Sequence, residues 1–202
     1  TFTVTVADTT KPTIGTNSDI TQEATSAAGA VVTFSLPTAS DNVGVVSESC
    51  TPASGSTFPL GDTTVTCTAT DAAGNSASSS FKVTVRDTTA PVIASHGPVS
   101  GDATSPTGGV VTYTVPTATD AVTNPVTVTC LPASGSVFPI GNTTVSCGAT
   151  DNAGNVATPV TFTVTVADTT KPTIGTNSDI TQEATSAAGA VVTFSLPTAS
   201  DN

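Results

Sequence analysis

The stretch Cys50-Thr-Pro-Ala-Ser-Gly-Ser-Thr-Phe-Pro-Leu-Gly-Asp-Thr-Thr-Val-Thr-Cys67-Thr-Ala-Thr-Asp-Ala-Ala-Gly-Asn75 recurs as Cys130 to Asn155, with 19 of 26 positions identical. Each copy holds two cysteines, a Phe-Pro-x-Gly turn and an Ala-Thr-Asp-x-Ala-Gly-Asn ending. Strand, tight loop, strand and turn are the elements such a text writes, with the cysteines placed to staple them. Working outward, residues 1–42 and 161–202 are the same text. The simplest reading is a window on an array of two alternating repeats, each of about 80 residues.

On this reading residues 1–8 are the final strand of a preceding repeat, 9–87 a first domain, 88–168 a second, and 169–202 the first half of a third that repeats the opening of the first. Domains of about 80 residues have thin cores and often take their remaining stability from disulfides or metal ions. The four cysteines fall as Cys50 with Cys67 and Cys130 with Cys147, one pair per repeat and no CxxC, which is the arithmetic of intradomain disulfides. Such bonds place the chain outside the cytoplasm, in an extracellular or cell-surface setting.

The charge balance is 4 basic against 15 acidic residues, net −11. It excludes attraction to nucleic acid or to an anionic membrane surface, so electrostatic partners are cations. Only 9% of residues are charged while the mean hydropathy is +0.19. Thr and Ser therefore supply most of the polar surface, a composition suited to assembly with copies of itself or to a coat of sugar. No run approaches the ~20 apolar residues of a membrane-spanning helix. Residue 1 opens inside a strand-like pattern with no basic leader, so a signal peptide is not expected in this segment.

No stretch carries a helical period. Thr1 to Asp8 alternates apolar and hydroxyl side chains as a half-buried strand does. Ile20 to Ala24, Val45 to Cys50 and Thr64 to Thr70 read as further strands after a short edge at Thr13 and Ile14. Val31 to Leu36 is expected as a strand with Val32, Phe34 and Leu36 on its inner face, and Ser79 to Val85 with Phe81, Val83 and Val85 inward. In the second repeat Val111, Tyr113 and Val115 and then Phe162, Val164 and Val166 take the same places. About seven short strands with turn signals between them give an all-β fold of tandem immunoglobulin-like β-sandwich domains.

The linker Asp-Thr-Thr-x-Pro-x-Ile and the Pro-Thr-Ala-x-Asp after the second long strand appear in both repeats. So do Cys-x-Pro-Ala-Ser-Gly-Ser-x-Phe-Pro-x-Gly-x-Thr-Thr-Val-x-Cys and Ala-Thr-Asp-x-Ala-Gly-Asn. Together they resemble the HYR (hyalin repeat) domain over nearly the whole chain. The resemblance implies an immunoglobulin-like fold and a role in extracellular adhesion or matrix structure as a tandem module. The near-perfect duplication points further, to a long homogeneous fibre.

Catalysis finds little support. The single histidine, His96, stands where the first repeat has Asn17 and is expected in an exposed loop, and the matched cysteines leave no free nucleophile. Metal binding is the sharper expectation. At one end of such a sandwich three acidic segments converge: Asp8, Asp41 with Asn42, and Asp71 with Asn75 in the first repeat. Asp87, Asp120, and Asp151 with Asn155 repeat the arrangement, and Asp168 with Asp201 begin a third set. Carboxylates and carbonyls are the ligands calcium prefers. Asp and Asn in a Gly-containing turn also make Asx turns, so Asp71 and Asn75 are equally suited to shaping a hairpin. Asn142-Thr-Thr satisfies the N-glycosylation rule, and the outward Thr3, Thr5, Thr163 and Thr165 are expected to be available to O-linked sugar.

The reading is a non-catalytic structural repeat of an extracellular filament or adhesin stalk. The alternative is a spacer or ligand-binding module attached to a secreted hydrolase. Carbohydrate binding is disfavoured, because a chain with no Trp and one Tyr has little for a sugar ring to stack on.

Overall fold

Val, Phe and Thr alternating at a period of two put one face of a strand in the core and the other in water. The computed structural model, which describes residues 1–202, builds that alternation into strands in both repeats and has no helix. The first repeat contains β1 (Thr13–Ile14), β2 (Ile20–Glu23), β3 (Ala30–Val31), β4 (Ala39–Ser40), β5 (Val45–Thr51), β6 (Thr57–Phe58), β7 (Gly61–Asp71) and β8 (Ser76–Arg86). The second contains β9 (Val92–Ile93), β10 (Val99–Asp102), β11 (Gly109–Val110), β12 (Ala118–Thr119), β13 (Val128–Leu131), β14 (Val137–Phe138), β15 (Gly141–Ala149) and β16 (Val160–Ala167). The antiparallel pair β17 (Thr173–Ile174) and β18 (Ala199–Ser200) follows.

Each repeat is built on a four-stranded sheet, in the order β2-β8-β7-β5 in the first and β10-β16-β15-β13 in the second. The outer strand β2 runs parallel to β8, and β10 parallel to β16, while β7 pairs antiparallel with β8 and with β5. In the first repeat the second layer is made of short ladders, β1 with β4 and β3 with β6, and the second repeat forms the matching ladders β9 with β12 and β11 with β14. This is the immunoglobulin-like sandwich expected from the sequence. Between the layers Val65, Cys67, Phe81, Val83 and Val85 meet Ala30, Val32 and Phe58. Phe34 sets its ring edge-on to Phe81 at 5.0 Å. Each fully buried Val or Phe contributes roughly 1.5–3 kcal/mol.

Both disulfides form as expected. Cys50 lies directly opposite Cys67 across β5 and β7, Cys130 is bonded to Cys147, and no cysteine is free. Each bond closes a separation of 17 residues, worth roughly 3 kcal/mol through the unfolded state.

Two expectations are corrected. The run Val31 to Leu36 is not a strand along its length, since β3 stops at Val31 and Leu36 is 48% exposed. Past Val32 the run faces a loop and not a strand. Ser54 Oγ accepts from the Phe34 N–H and donates to the Phe34 carbonyl, replacing a ladder, and Pro37 then ends the run. Val115 is exposed in the same way. Thr1 to Asp8 makes no ladder, and Phe2, Val4 and Val6 are exposed. His96 is half-buried, its ring 4.1 Å from that of Phe162.

By compactness the chain falls into two units. The first takes Thr1–Ile93, Thr117–Val128 and Ala149–Thr158; the second takes Ala94–Pro116, Thr129–Gly148 and Pro159–Asn202. Asp120 and Asp151 therefore fall in the same unit as Asp87.

Candidate metal centre

The hairpin turn between β7 and β8 is shaped by its own side chains. The Asn75 N–H and Nδ2 donate to the two oxygens of Asp71, each at 2.8 Å, while Gly74 adopts φ +90°. Asn75 Nδ2 also donates to the backbone carbonyl of Asp8 at 3.2 Å, tying the turn to the linker. Asn155 repeats this with Asp151 and with the carbonyls of Asp87 and Thr89. The Asx role of these residues is thus present beside any role as ligands.

The same turns bring the acids together. In Asp8, Asp41 and Asp71, and again in Asp87, Asp120 and Asp151, one carboxylate oxygen from each residue lies within 4.8 Å of the others. Asp168 and Asp201 do not enter a third such group.

Local backbone amides satisfy one side of each outer carboxylate. Asp41 Oδ2 accepts from Val43 and Gly44, Asp120 Oδ2 from Val122 and Thr123, Asp8 Oδ1 from Thr10 and Asp87 Oδ1 from Thr89. The second oxygens of Asp8, Asp87 and Asp120 are buried without a partner. A buried carboxylate oxygen left unpaired is costly.

The charges respond accordingly. Burial pushes the Asp87 carboxyl above its ordinary range, and the like charges of Asp120, Asp151 and Glu23 add to the rise against the opposing Thr89 bond. Burial acts the same way on Asp71 and Asp151, yet the bonds from Asn75 with the amides of Ala73 and Gly74, and from Asn155 with those of Ala153 and Gly154, together outweigh it and hold both carboxyls low. Each group therefore combines a buried, committed anion with less satisfied ones. Oxygen donors at this spacing fit a hard cation such as calcium.

Asn142 is exposed on β15, and its Oδ1 accepts from Thr165 Oγ1 at 2.8 Å. At the matching place in the first repeat Asp62 accepts from Thr84 at 2.7 Å and pairs with Lys82 at 3.2 Å.

One residue that holds the linker escaped the sequence reading. Glu23, at the end of β2, accepts three hydrogen bonds from Thr88 and Thr89 in the linker. These bonds, led by the Thr88 hydroxyl, lower its pKa to about 2. The signal available was an acid at the aligned position of both repeats, Glu23 and Asp102.

Residues 7–85 and 86–166 each match the HYR domain. Across its whole length the chain is 40% identical to Hyalin of Strongylocentrotus purpuratus, aligned over 216 residues and covering 18% of that protein. It is also 40% identical to Hyalin of Lytechinus variegatus, covering 41% of it. Over 115 residues, 52% of this chain and 5% of the relative, it is 36% identical to the Serine-rich adhesin for platelets of Staphylococcus aureus (strain USA300). The chain thus spans less than half the length of these relatives. Among solved structures, an I-band fragment of titin aligns with a TM-score of 0.41 at 14% identity, over 77% of this chain and 65% of that one. Human Protocadherin-24 aligns with a TM-score of 0.35 at 18% identity, over 78% and 98%. Both scores are low, and the fold rests on the strand pairing described above.

Proposed function

This chain belongs to the HYR domain family, and from that premise we propose that it is a structural repeat segment of an extracellular filament or cell-surface adhesin stalk, with no catalytic step. The observation that carries the reading is the repetition of one disulfide-stapled sandwich along the chain. Such an array lengthens without new kinds of interface, because each repeat meets mainly its neighbours. The relatives named Hyalin and platelet adhesin support the extracellular, adhesive setting. The four disulfide-bonded cysteines support an oxidising compartment. Its partners are then further copies of the same repeats. Electron microscopy of the native particle tests this: a uniform beaded fibre is expected, and isolated globular particles carrying an enzymatic domain would favour the secreted-hydrolase module instead.

The reading extends to calcium at Asp8, Asp41 and Asp71 and at Asp87, Asp120 and Asp151. What supports it is the pairing of convergent carboxylates with buried oxygens that no protein donor satisfies. A bound calcium ion supplies positive charge there, while the chain's own Asn75 and Asn155 hold the turns in place. The melting temperature is expected to rise by about 5 °C or more between EDTA and millimolar calcium, and an unchanged value rules the ion out. Asn142 is the proposed acceptor of N-linked glycan, and an intact mass equal to that of the bare peptide removes it.

A further inference from the structure

Two linkers follow a complete four-stranded sheet in this chain, Asp87-Thr-Thr-Ala-Pro91 after β8 and Asp168-Thr-Thr-Lys-Pro172 after β16. In each case the last strand lies beside a parallel outer strand that ends level with it. Glu23 is the Cα partner of Arg86, and Asp102 that of Ala167. The outer strand therefore delivers a carboxylate to the start of the linker in both repeats. The Ala24 N–H donates to the Arg86 carbonyl and the Ala103 N–H to the Ala167 carbonyl, 2.8 and 2.9 Å, so the backbone approach is the same.

The side chains differ by one methylene, and the bonding differs with it. Glu23 Oε1 accepts from the Thr88 N–H at 2.9 Å and from Thr89 Oγ1 at 2.7 Å, while Oε2 accepts from Thr88 Oγ1 at 2.6 Å. Both oxygens are used, and both threonines are held. Asp102 accepts a single bond, from Thr169 Oγ1 at 3.0 Å. Its shorter side chain takes nothing from the backbone of the linker. Bonds to an ionised carboxylate are the stronger kind, and several on one group restrict geometry as well as adding energy.

We infer that Glu23 is a clasp that fixes the conformation of the Thr88-Thr89 linker, and that clasped and freer linkers alternate along the array, one after each Glu-bearing repeat and one after each Asp-bearing repeat. The identical text of residues 161–202 carries Glu183 at the place of Glu23, so the acid recurs with the text. This goes beyond the role proposed above and does not depend on calcium, since it rests on neutral donors in the chain itself. Its consequence is a fibre whose joints are of two kinds, with spacing set by the double repeat.

Amide hydrogen exchange on the full 202-residue chain tests the clasp. The Thr88 N–H is expected to exchange about tenfold faster in Glu23→Asp than in the wild type, and Asp102→Glu is expected to slow the Thr169 N–H by about tenfold. The amides of Val65 and Val83 report the core and are expected not to change. The Asp102→Glu arm is a gain of protection, so a lost fold cannot imitate it. Equal Thr88 exchange in wild type and Glu23→Asp, or no slowing of Thr169 in Asp102→Glu, overturns the inference. Either result leaves the structural-repeat reading standing, because that reading is tested by the form of the particle.

Discussion

Residues 1–42 and 161–202 are the same words in two settings. Phe162 is 6% exposed where Phe2 is 89%, and Val166 is 1% exposed where Val6 is 94%. Further along the order reverses: Val32 is 2% exposed where Val192 is 45%, and Phe34 packs on Phe81 where Phe194 lies open. Composition, period and propensity are equal by construction, so none of them decides burial here. The deciding factor is the long hairpin of each repeat. Phe162 to Val166 lie on β16 between β15 and β10, with Tyr113 and His96 packed on Phe162, and Val32 shares a core with Val65, Phe81 and Val83 of β7 and β8. A strand-like text becomes a core strand only where the rest of its sheet is supplied.

The strongest test of that conclusion substitutes the same phenylalanine twice. Phe162→Ala is expected to cost about 3–5 kcal/mol of stability in chemical denaturation. Phe2→Ala is expected to stay within about 0.5 kcal/mol. Equal effects would break the comparison. Next in size, replacing Cys50 and Cys67 together by serine is expected to lower the stability of the first repeat by about 3 kcal/mol. A separate, earlier unfolding transition would show it, with the repeat held by Cys130 and Cys147 melting as before.

A glycine pair sharpens the contrast at smaller scale. Gly29 has φ +108°, and a Cβ there would sit 1.8 Å from the Phe58 carbonyl oxygen, whereas Gly189, in the same text, has φ +101° with nothing near it. Gly29→Ala is expected to cost about 2 kcal/mol and Gly189→Ala about half that or less, read as shifts in denaturation midpoint. The smallest effect is on acidification. The pKa of Glu23 is lowered from 4.5 to about 2 in the fold. Its contribution is therefore complete above the ordinary value and is lost as the pH falls from about 4.5 towards 2. An NMR titration of the Glu23 carboxyl with its midpoint near the ordinary value would contradict the clasp.

What the sequence made legible was whatever is written locally and repeated. The cysteine pairs, the inward Phe81, Val83 and Val85, the Asp71–Asn75 turn and the two acidic triads all appear twice at matching intervals, and all stand where expected. What escaped was fixed by distant partners. Leu36 alternates correctly with Val32 and Phe34, yet nothing in its neighbourhood says that Ser54 will occupy the ladder beside it. His96 has no twin, and its place against Phe162 depends on a strand 60 residues and more along the chain. Glu23 reads as an ordinary surface acid until β2 pairs with β8 and brings the linker to it, across a separation of 65 residues.

The parallel pairing of β2 with β8 also sets how a repeat meets load. The chain enters near β2 and leaves at the end of β8, and the two are joined from Ile20 with Val83 to Glu23 with Arg86. A pull applied to the two ends of the repeat loads these strands lengthwise against each other. A ladder loaded in that direction yields as a block and not one bond at a time, and the same parallel pairing recurs between β10 and β16.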